Sequence, residues 1–420
     1  MLETRRFPLY GAAVVWLFLA ALLVAYPGPA LEAALRGISI WWDVLFPALF
    51  PFFVISEMML GFGLVHFFGT FFDPMMRPLF RVPGIGGFVM AMGFASGYPV
   101  GAKLTSQLWE SGLVNRDEGE RLVAFTSTSD PIFLIGAVSV GFFQDPGIAA
   151  ILAAAHYGGG VLIGLLMRFH GERPPRQPVL ADHHGSLLFR ALKAMHRARI
   201  RDGRPFGVQL EQAVTSSLHL IMVVGGLVVF FSVVMEMMAQ AKLMGAIYTV
   251  VDTALHAFAL PTALSHAVVN GLFEVTLGAK AAGGAGDSAA LVSKVAIGAF
   301  VLSWSGLSVH AQIVSILNRT NLRYLPFLTA RLIHGVLSAL LVFILWSPMQ
   351  PIRSAAGAHL PAWSAASMND GSIGLAALPW TGLLSAGLFI GSLVTIVFLY
   401  IGYMAVRALC AIWQTRRTAR

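Results

Sequence analysis

Apolar residues run along this chain in blocks of about 20, the length at which an α-helix crosses the hydrocarbon of a bilayer. Such blocks fall near 8–26, 39–62, 122–143, 146–168, 213–239, 289–316, 325–347 and 378–407, and each predicts a membrane-spanning helix. Two shorter amphipathic segments, 64–82 and 243–260, predict helices lying in the interface. Two more, 85–112 and 262–285, are interrupted in mid-run by Gly, Pro and polar residues. These predict re-entrant hairpins made of two half-helices, because irregular backbone at membrane depth survives only when buried in protein or facing a polar cavity. The expected fold is an all-α polytopic membrane protein with about eight transmembrane helices and two re-entrant helical hairpins.

Composition agrees with the pattern. Of 420 residues, 57% are hydrophobic and only 11% charged, too few charges to cover a water-soluble surface. The net charge of +8 sits in a few gaps between apolar blocks, which reads as the positive-inside effect and not as a nucleic-acid patch. The longest hydrophilic stretch, about 169–211, together with Arg168 just before it carries nine basic residues up to Arg204 and is expected in the cytoplasm. Arg5, Arg6, Arg319, Arg323, Arg416, Arg417 and Arg420 fit the same side, and the nearly uncharged 348–377 fits the outside. Both termini are then cytoplasmic. The first block lacks a small-x-small cleavage site and is expected to be retained. The single cysteine, Cys410, rules out a disulfide framework within one chain.

The chain also repeats itself. Phe52-Phe53 with Glu57-Met58-Met59 matches Phe230-Phe231 with Glu236-Met237-Met238, Gly101-Ala102-Lys103 matches Gly278-Ala279-Lys280, Thr126 and Thr128 match Ser303 and Ser305, and Gly160-Val161-Leu162 matches Gly335-Val336-Leu337. The order is kept at a nearly constant offset. The predicted organisation is an N-terminal helix and connection (1–38), a first repeat with its hairpin (39–168), a basic loop (169–212), a second repeat with its hairpin (213–347), an extracytoplasmic loop (348–377), and a last helix with a basic tail (378–420). The two repeats enter the membrane from opposite sides, and inverted repeats with broken helices near the midplane characterise secondary transporters.

Candidate binding residues follow from the interruptions. In the first hairpin Ser96-Gly97-Tyr98-Pro99 is a turn sequence. Gly97 and Gly101 permit unusual backbone angles, and Pro99 suits the start of a half-helix whose N-terminus favours an anionic group. The second tip is expected between Gly271 and Gly278, with Asn270 and Glu274. Thr126, Ser127, Thr128, Ser129 and Asp130 precede the helix-breaking Pro131, and Ser303, Ser305 and Ser308 are their counterparts. These hydroxyls hydrogen-bond a solute or, alternatively, satisfy their own helices. Lys103 and Lys280 are repeat-equivalent: they face one central site and suit a small dicarboxylate, or they snorkel to an interface. Asp130, Glu274 and His310 are candidate coupling groups, with counter-ion to the lysines as the other role for the two acids. Glu57 and Glu236 read as interfacial, and His156 and His334 as hydrogen-bonded core histidines. No metal-ligand spacing, P-loop or hydrolase motif is present, so no metal, cofactor or catalysis is expected.

The run Gly93-Phe94-Ala95-Ser96-Gly97-Tyr98-Pro99-Val100-Gly101-Ala102-Lys103 resembles the hairpin signature of the YlbJ-type sporulation integral membrane proteins. Glu120 to Pro131, with His156-Tyr157 after it, resembles that family too. The family usually has an Asn where Thr126 or Ser127 stands and a small residue at Asp130, so no family role passes to Asp130. The resemblance covers about 39–347. It implies membership of the nucleoside-recognition, or Gate-domain, group and a core like that of concentrative nucleoside transporters, which form trimers. It also implies a place in a bacterial inner or forespore-type membrane and a part in delivering dipicolinate, a small aromatic dicarboxylate, during sporulation. The function expected is alternating-access transport of a small organic anion through the lipid bilayer. Nucleosides or other small solutes are the alternative within that class, and a non-transporting scaffold or receptor of sporulation the alternative outside it.

Overall fold

The computed structural model describes residues 6–172, 187–286 and 288–353, with the side chains of 6–12 and 48 left aside. The predicted span 378–407, nearly all of the loop 348–377 and the basic tail lie outside the described residues. Those described fold entirely as helices and their connections, with no strand among them.

The first half opens with α1 (Arg6–Ala25) and α2 (Pro27–Ser39), which meet at a 102° bend. The bend falls at Tyr26, where the backbone leaves the helical region and Pro27 restarts it. The predicted span 39–62 is not one regular helix. Residues 40–45 form a widened turn in which Phe46 N–H reaches back five residues to the Trp41 carbonyl, and only then does α3 (Phe46–Gly61) begin. After Gly63, in the left-handed region, α4 (Leu64–Phe80) turns away at 81° with one apolar face buried. α5 (Ile85–Ser96) and α6 (Tyr98–Glu110) make the first hairpin. α7 (Arg116–Thr126), opened by an Asn115–Glu118 capping box, runs to a non-helical stretch at 127–130. A wide-turned helical segment Ile132–Phe142 continues it, and α8 (Ala149–Met167) returns. The predicted span 122–143 is thus two helical pieces and a gap.

The second half begins after the basic helix α9 (Leu187–Asp202), which packs on α4. α10 (Phe206–Gln240) is the longest helix, followed by the short α11 (Met244–Ala257). α12 (Ser265–Phe273) and α13 (Val275–Gly283) form the second hairpin. α14 (Leu291–Trp304) and α15 (Gly306–Leu317) are separated at Ser305, which takes φ +78°, and α16 (Tyr324–Trp346) closes the half. Among the described residues, four helical stretches are long and apolar enough to cross a membrane: Pro146–Met167, α10, Leu291–Leu317 and α16. Counting each bent pair as one span gives up to six.

One continuous apolar core, from Leu49 to Val342, joins the halves. α16 packs on both α14 and α8, and α10 on α2 and α3. The second arm of each hairpin crosses to the other half: α6 packs on α15, and α13 on Ile132–Phe142. Glycines make the close approaches possible. A Cβ at Gly101 would stand 2.6 Å from Thr126 Oγ1, and one at Gly93 would strike the Thr126 carbonyl oxygen, so the first hairpin clamps the end of α7. Gly271 and Gly278 seat Val301 of α14 in the same way. Gly101 is therefore needed for space and not, as the sequence suggests, for its backbone angles, which are helical.

Gly97 is the position where the angle itself decides. Its φ of +88° and ψ of 178° lie in a region open only to glycine. Gly97→Ala is expected to destabilise the fold by about 1–3 kcal/mol. Gly112→Ala, at an exposed turn with φ +67° and open space around it, should cost about 1–2 kcal/mol. Thermal unfolding of the purified chain in detergent compares the two.

Candidate functional site

The two hairpin tips and the two helix breaks meet. The first tip turns at Gly97, so that α6 starts with Tyr98-Pro99, Pro99 being free of an N–H that would need a partner. The second turns at Glu274, in extended conformation, whose carboxylate caps α13 by accepting the Leu277 N–H at 2.8 Å. At the first break Asp130 does the same for the next segment, accepting Phe133 N–H at 2.9 Å. Between them lies a small cavity of about 40 Å³, lined by Gly97, Tyr98, Pro99, Asp130, Glu274 and Ser308, with Thr276, Phe133, Gln312 and apolar residues of the 40–45 turn, α3, α10, α13 and α15 completing it. The N-terminal ends of four helical segments converge there.

No Lys, Arg or His is among the described residues that line the cavity. Asp130 and Glu274 are both buried, at 5% and 1% exposure, and no cationic side chain lies within ion-pairing distance of either among the described residues. Magnitudes show how exposed this leaves them electrostatically. A helix N-terminus contributes at most about 2 kcal/mol to a nearby carboxylate, whereas taking an ion out of water costs several kcal/mol. The caps do not offset the burial.

Behind the cavity a second layer holds the first break in shape. Arg331 of α16 is wholly buried and donates to the Ser127 carbonyl and to His334 Nδ1. The Ser129 N–H donates to His156 Nε2 at 3.0 Å, and the Tyr157 hydroxyl donates to the Ser129 carbonyl at 3.0 Å. His156 Nδ1 lies 2.8 Å from Ser303 Oγ, which donates in turn to Ser338. The rings of His156 and His334 stack with centroids 5.2 Å apart. At the second break the Tyr98 hydroxyl donates to the Leu302 carbonyl at 2.7 Å, and His310 bridges the Trp304 carbonyl and the Tyr324 hydroxyl.

Of the residues singled out by sequence, Gly97, Tyr98, Pro99, Asp130, Glu274 and Ser308 are brought together at the cavity. The other hydroxyls are not. Thr126 and Ser127 donate to their own helix at Leu122 and Val123, Thr128 reaches Gly93, Ser129 Oγ turns to Asp130's carbonyl, and Ser305 Oγ to Leu302's. Ser96 meets Ser56, Ser303 joins the histidine layer, and Asn270 accepts the Glu274 N–H through its carbonyl. His310 is held by protein groups away from the cavity.

The paired lysines require correction: they do not face one site. Lys103 is bound to Glu57 at 2.5 Å and to Ser216 at 2.8 Å, in a separate polar region where α3, α6 and α10 meet, and Lys280 is exposed at the end of α13. Each sits a turn or more from its tip, where a long side chain finds polar surroundings more cheaply than in the core. Glu57 is accordingly the partner of Lys103, and Glu236 pairs with Arg36 at 2.7 Å. Sequence reasoning passed over Arg331, Thr276 and Gln312. Arg331 was visible as a lone charge inside an apolar run, and Gln312 lies one turn beyond Ser308.

At the basic end of the bundle, outside the apolar run that starts at Leu122, Glu120 accepts three hydrogen bonds from Arg323, at 2.8–2.9 Å, and lies 2.6 Å from His170 Nε2. Asp117, Glu120 and His170 bring three ligand atoms within 4.8 Å of one another, but Arg323 already occupies the Glu120 carboxylate, so the group reads as an ion cluster. Arg121, buried beside it, donates to the carbonyls of Arg81, His170 and Glu172. Burial alone would raise the Glu120 carboxyl, but the hydrogen bonds from Arg323 and His170 outweigh it and hold it at about 2.

Comparison with known proteins adds the lineage. Residues 43–143 match the family model Gate, described as nucleoside recognition. Over 346 residues the chain is 42% identical to the sporulation integral membrane protein YlbJ of Bacillus subtilis (strain 168), covering 80% of this chain and 82% of that protein. The chain belongs to the YlbJ family. It is a multi-pass membrane protein of a family associated with sporulation. An uncharacterized protein of Alkalihalophilus pseudofirmus is 26% identical over 148 residues, 32% of each chain. No solved structure matches significantly.

Two predictions follow from this geometry. Arg331→Ala leaves the Ser127 carbonyl and His334 without their donor and should cost about 2–3 kcal/mol, and Arg331→Lys should recover part of it, having no planar fork to serve both. Because folding lowers the Glu120 pKa from its ordinary 4.5 to about 2, its contribution is present above about pH 4.5 and lost as pH falls towards 2. Glu120→Gln should flatten stability against pH in that window. Thermal unfolding in buffers across the range measures both.

Proposed function

We propose that the chain is a secondary transporter that carries a small solute through the central cavity by alternating access. In this reading eight spans and two re-entrant hairpins form two inverted repeats in the bacterial membrane, both termini are cytoplasmic, and no catalysis takes place. The observation that carries it is the meeting of two hairpin tips and two helix breaks around one cavity, one of each from either half. Broken helices are costly in lipid, and transporters place them at the solute site. The exchange of arms between halves supports the inverted arrangement, since α6 packs on α15 as α13 packs on Ile132–Phe142.

The solute favoured is a small organic anion, with dipicolinate first because the YlbJ relative is a sporulation protein and the four converging helix N-termini attract negative charge. Ser308, Thr276 and Gln312 would hydrogen-bond it. Nucleosides are the second reading, favoured by the match at 43–143 to a model described as nucleoside recognition. A scaffold or receptor of sporulation has no use for paired breaks at the core.

The test is thermal stabilisation of the purified chain by dipicolinate, other dicarboxylates and nucleosides. A ligand at a hundredfold excess over its Kd adds about 2.7 kcal/mol to native stability. Dipicolinate is expected to raise the midpoint, less so in Ser308→Ala and Gln312→Leu, with Lys103→Ala and Lys280→Ala unaffected at the ligand step. A shift with nucleosides alone would keep the transporter and replace the solute, and a shift with nothing would favour the scaffold.

A further inference from the structure

Both charged groups lining the central cavity are acidic, one from each half. Asp130 Oδ1 accepts the Phe133 N–H and Glu274 Oε2 accepts the Leu277 N–H, and both residues line the cavity. The basic groups that could balance them are engaged or distant. Lys103 is bound to Glu57 and Ser216, Arg331 to the Ser127 carbonyl and His334, and Lys280 is exposed. The titratable groups packed around the pair are equally committed: Tyr98 to the Leu302 carbonyl, Tyr157 to the Ser129 carbonyl, His156 to the Ser129 N–H and Ser303, and His310 to Trp304 and Tyr324.

A second observation points to a ligand. The Ser308 residue lines the same cavity, is fully buried, and its hydroxyl has no hydrogen-bond partner among the described residues. With Gln312 one turn further along α15 and Thr276 on α13, the cavity offers two carboxyl groups, hydroxyls and a carboxamide oxygen, an oxygen-rich set with no cationic side chain among the described residues.

We propose that Asp130 and Glu274 form a cation site, taking a small monovalent positive charge as protons or as an alkali cation. The proposal rests on the transporter reading for its role, which is to supply the coupling charge, and on the cavity alone for its chemistry. An anionic solute then enters only when the carboxylates are compensated, so solute and cation bind together. Reciprocity of binding makes each raise the affinity for the other.

The experiment uses the full chain in phosphatidylcholine nanodiscs, with the unfolding midpoint read in choline buffer at alkaline pH as reference. One arm lowers the pH to mildly acidic values without alkali cations. The other replaces choline by sodium at constant ionic strength. A cation that binds only the native protein raises its stability. An upward shift of a few degrees in the acid arm assigns protons, and one in the sodium arm assigns the alkali cation. Either shift must vanish in D130N E274Q. If that double variant does not fold, D130N and E274Q singly are each expected to reduce the shift. No shift in the wild type in either arm, or the same shift in the variants, would overturn the proposal. Loss of the solute response alone would count against the transporter reading and leave this site standing.

Discussion

An interrupted helix surrounded by apolar side chains must have its freed backbone groups met by something other than water, and this requirement organises the centre of the molecule. Each unmet group would cost several kcal/mol in hydrocarbon-like surroundings. At 127–130 the donors and acceptors that meet them come from α8 and α16: Arg331 for the Ser127 carbonyl, Tyr157 for that of Ser129, His156 for the Ser129 N–H. At Ser305 they come from the first hairpin and from α15 itself, through Tyr98 and His310. Every one of these contacts except that of His310 joins the break to a different helix. The breaks therefore exist only in the assembled bundle, and they tie its halves together at the point where the cavity opens.

The division of labour between the two layers follows. The hydroxyls of Thr126, Ser127 and Ser129 and the histidine layer serve the backbone, so they are unavailable to a solute. What remains at the cavity is the set that has no backbone duty or only half of one: the two capping carboxyl groups, the Ser308 and Thr276 hydroxyls, Gln312 and the first turns of four helical segments. A site assembled from leftovers of this kind carries the chemistry, and the layer behind it carries the geometry.

Much of this was legible in the residue order. Gly, Pro and polar residues inside apolar runs located both hairpins to within a few residues, and Pro131 with its preceding hydroxyls located the first break. The weaker part was direction. A repeat-equivalent pair such as Lys103 and Lys280 shares position, but its side chains are long enough to leave the site that their backbones approach, and Glu57 draws one of them away. Hydroxyls pose the same difficulty in reverse, since Ser and Thr in a helix bond equally well to the carbonyl four residues back. Arg331 stands out as a lone charge, but within 23 residues of near-continuous hydrophobicity nothing in the sequence says which groups it meets, and it is the group on which the break leans. The widened turn at 40–45 leaves no sequence mark beyond the tryptophans and Pro47 that crowd it.

The ends of the bundle differ in a way that bears on how such a machine opens. At the basic end Glu120 is 1% exposed and is held by three hydrogen bonds from Arg323, in a cluster with His170 and Asp117. At the opposite end the tie between the halves that corresponds in role is Asp145 with Arg353, at 2.8 Å, with both side chains about one-quarter exposed at 26% and 27%. An ion pair wetted by solvent loses little when it parts, because water replaces each partner. A buried carboxylate stripped of its partner keeps the whole cost of its burial. For the alternating access proposed here, separation at the Asp145–Arg353 end is the cheaper movement. Separation at the Glu120–Arg323 end requires water to reach Glu120 first. In that reading the two conformations are unequal in energy at the outset, and the proposed binding of solute and cation at the centre would supply the difference.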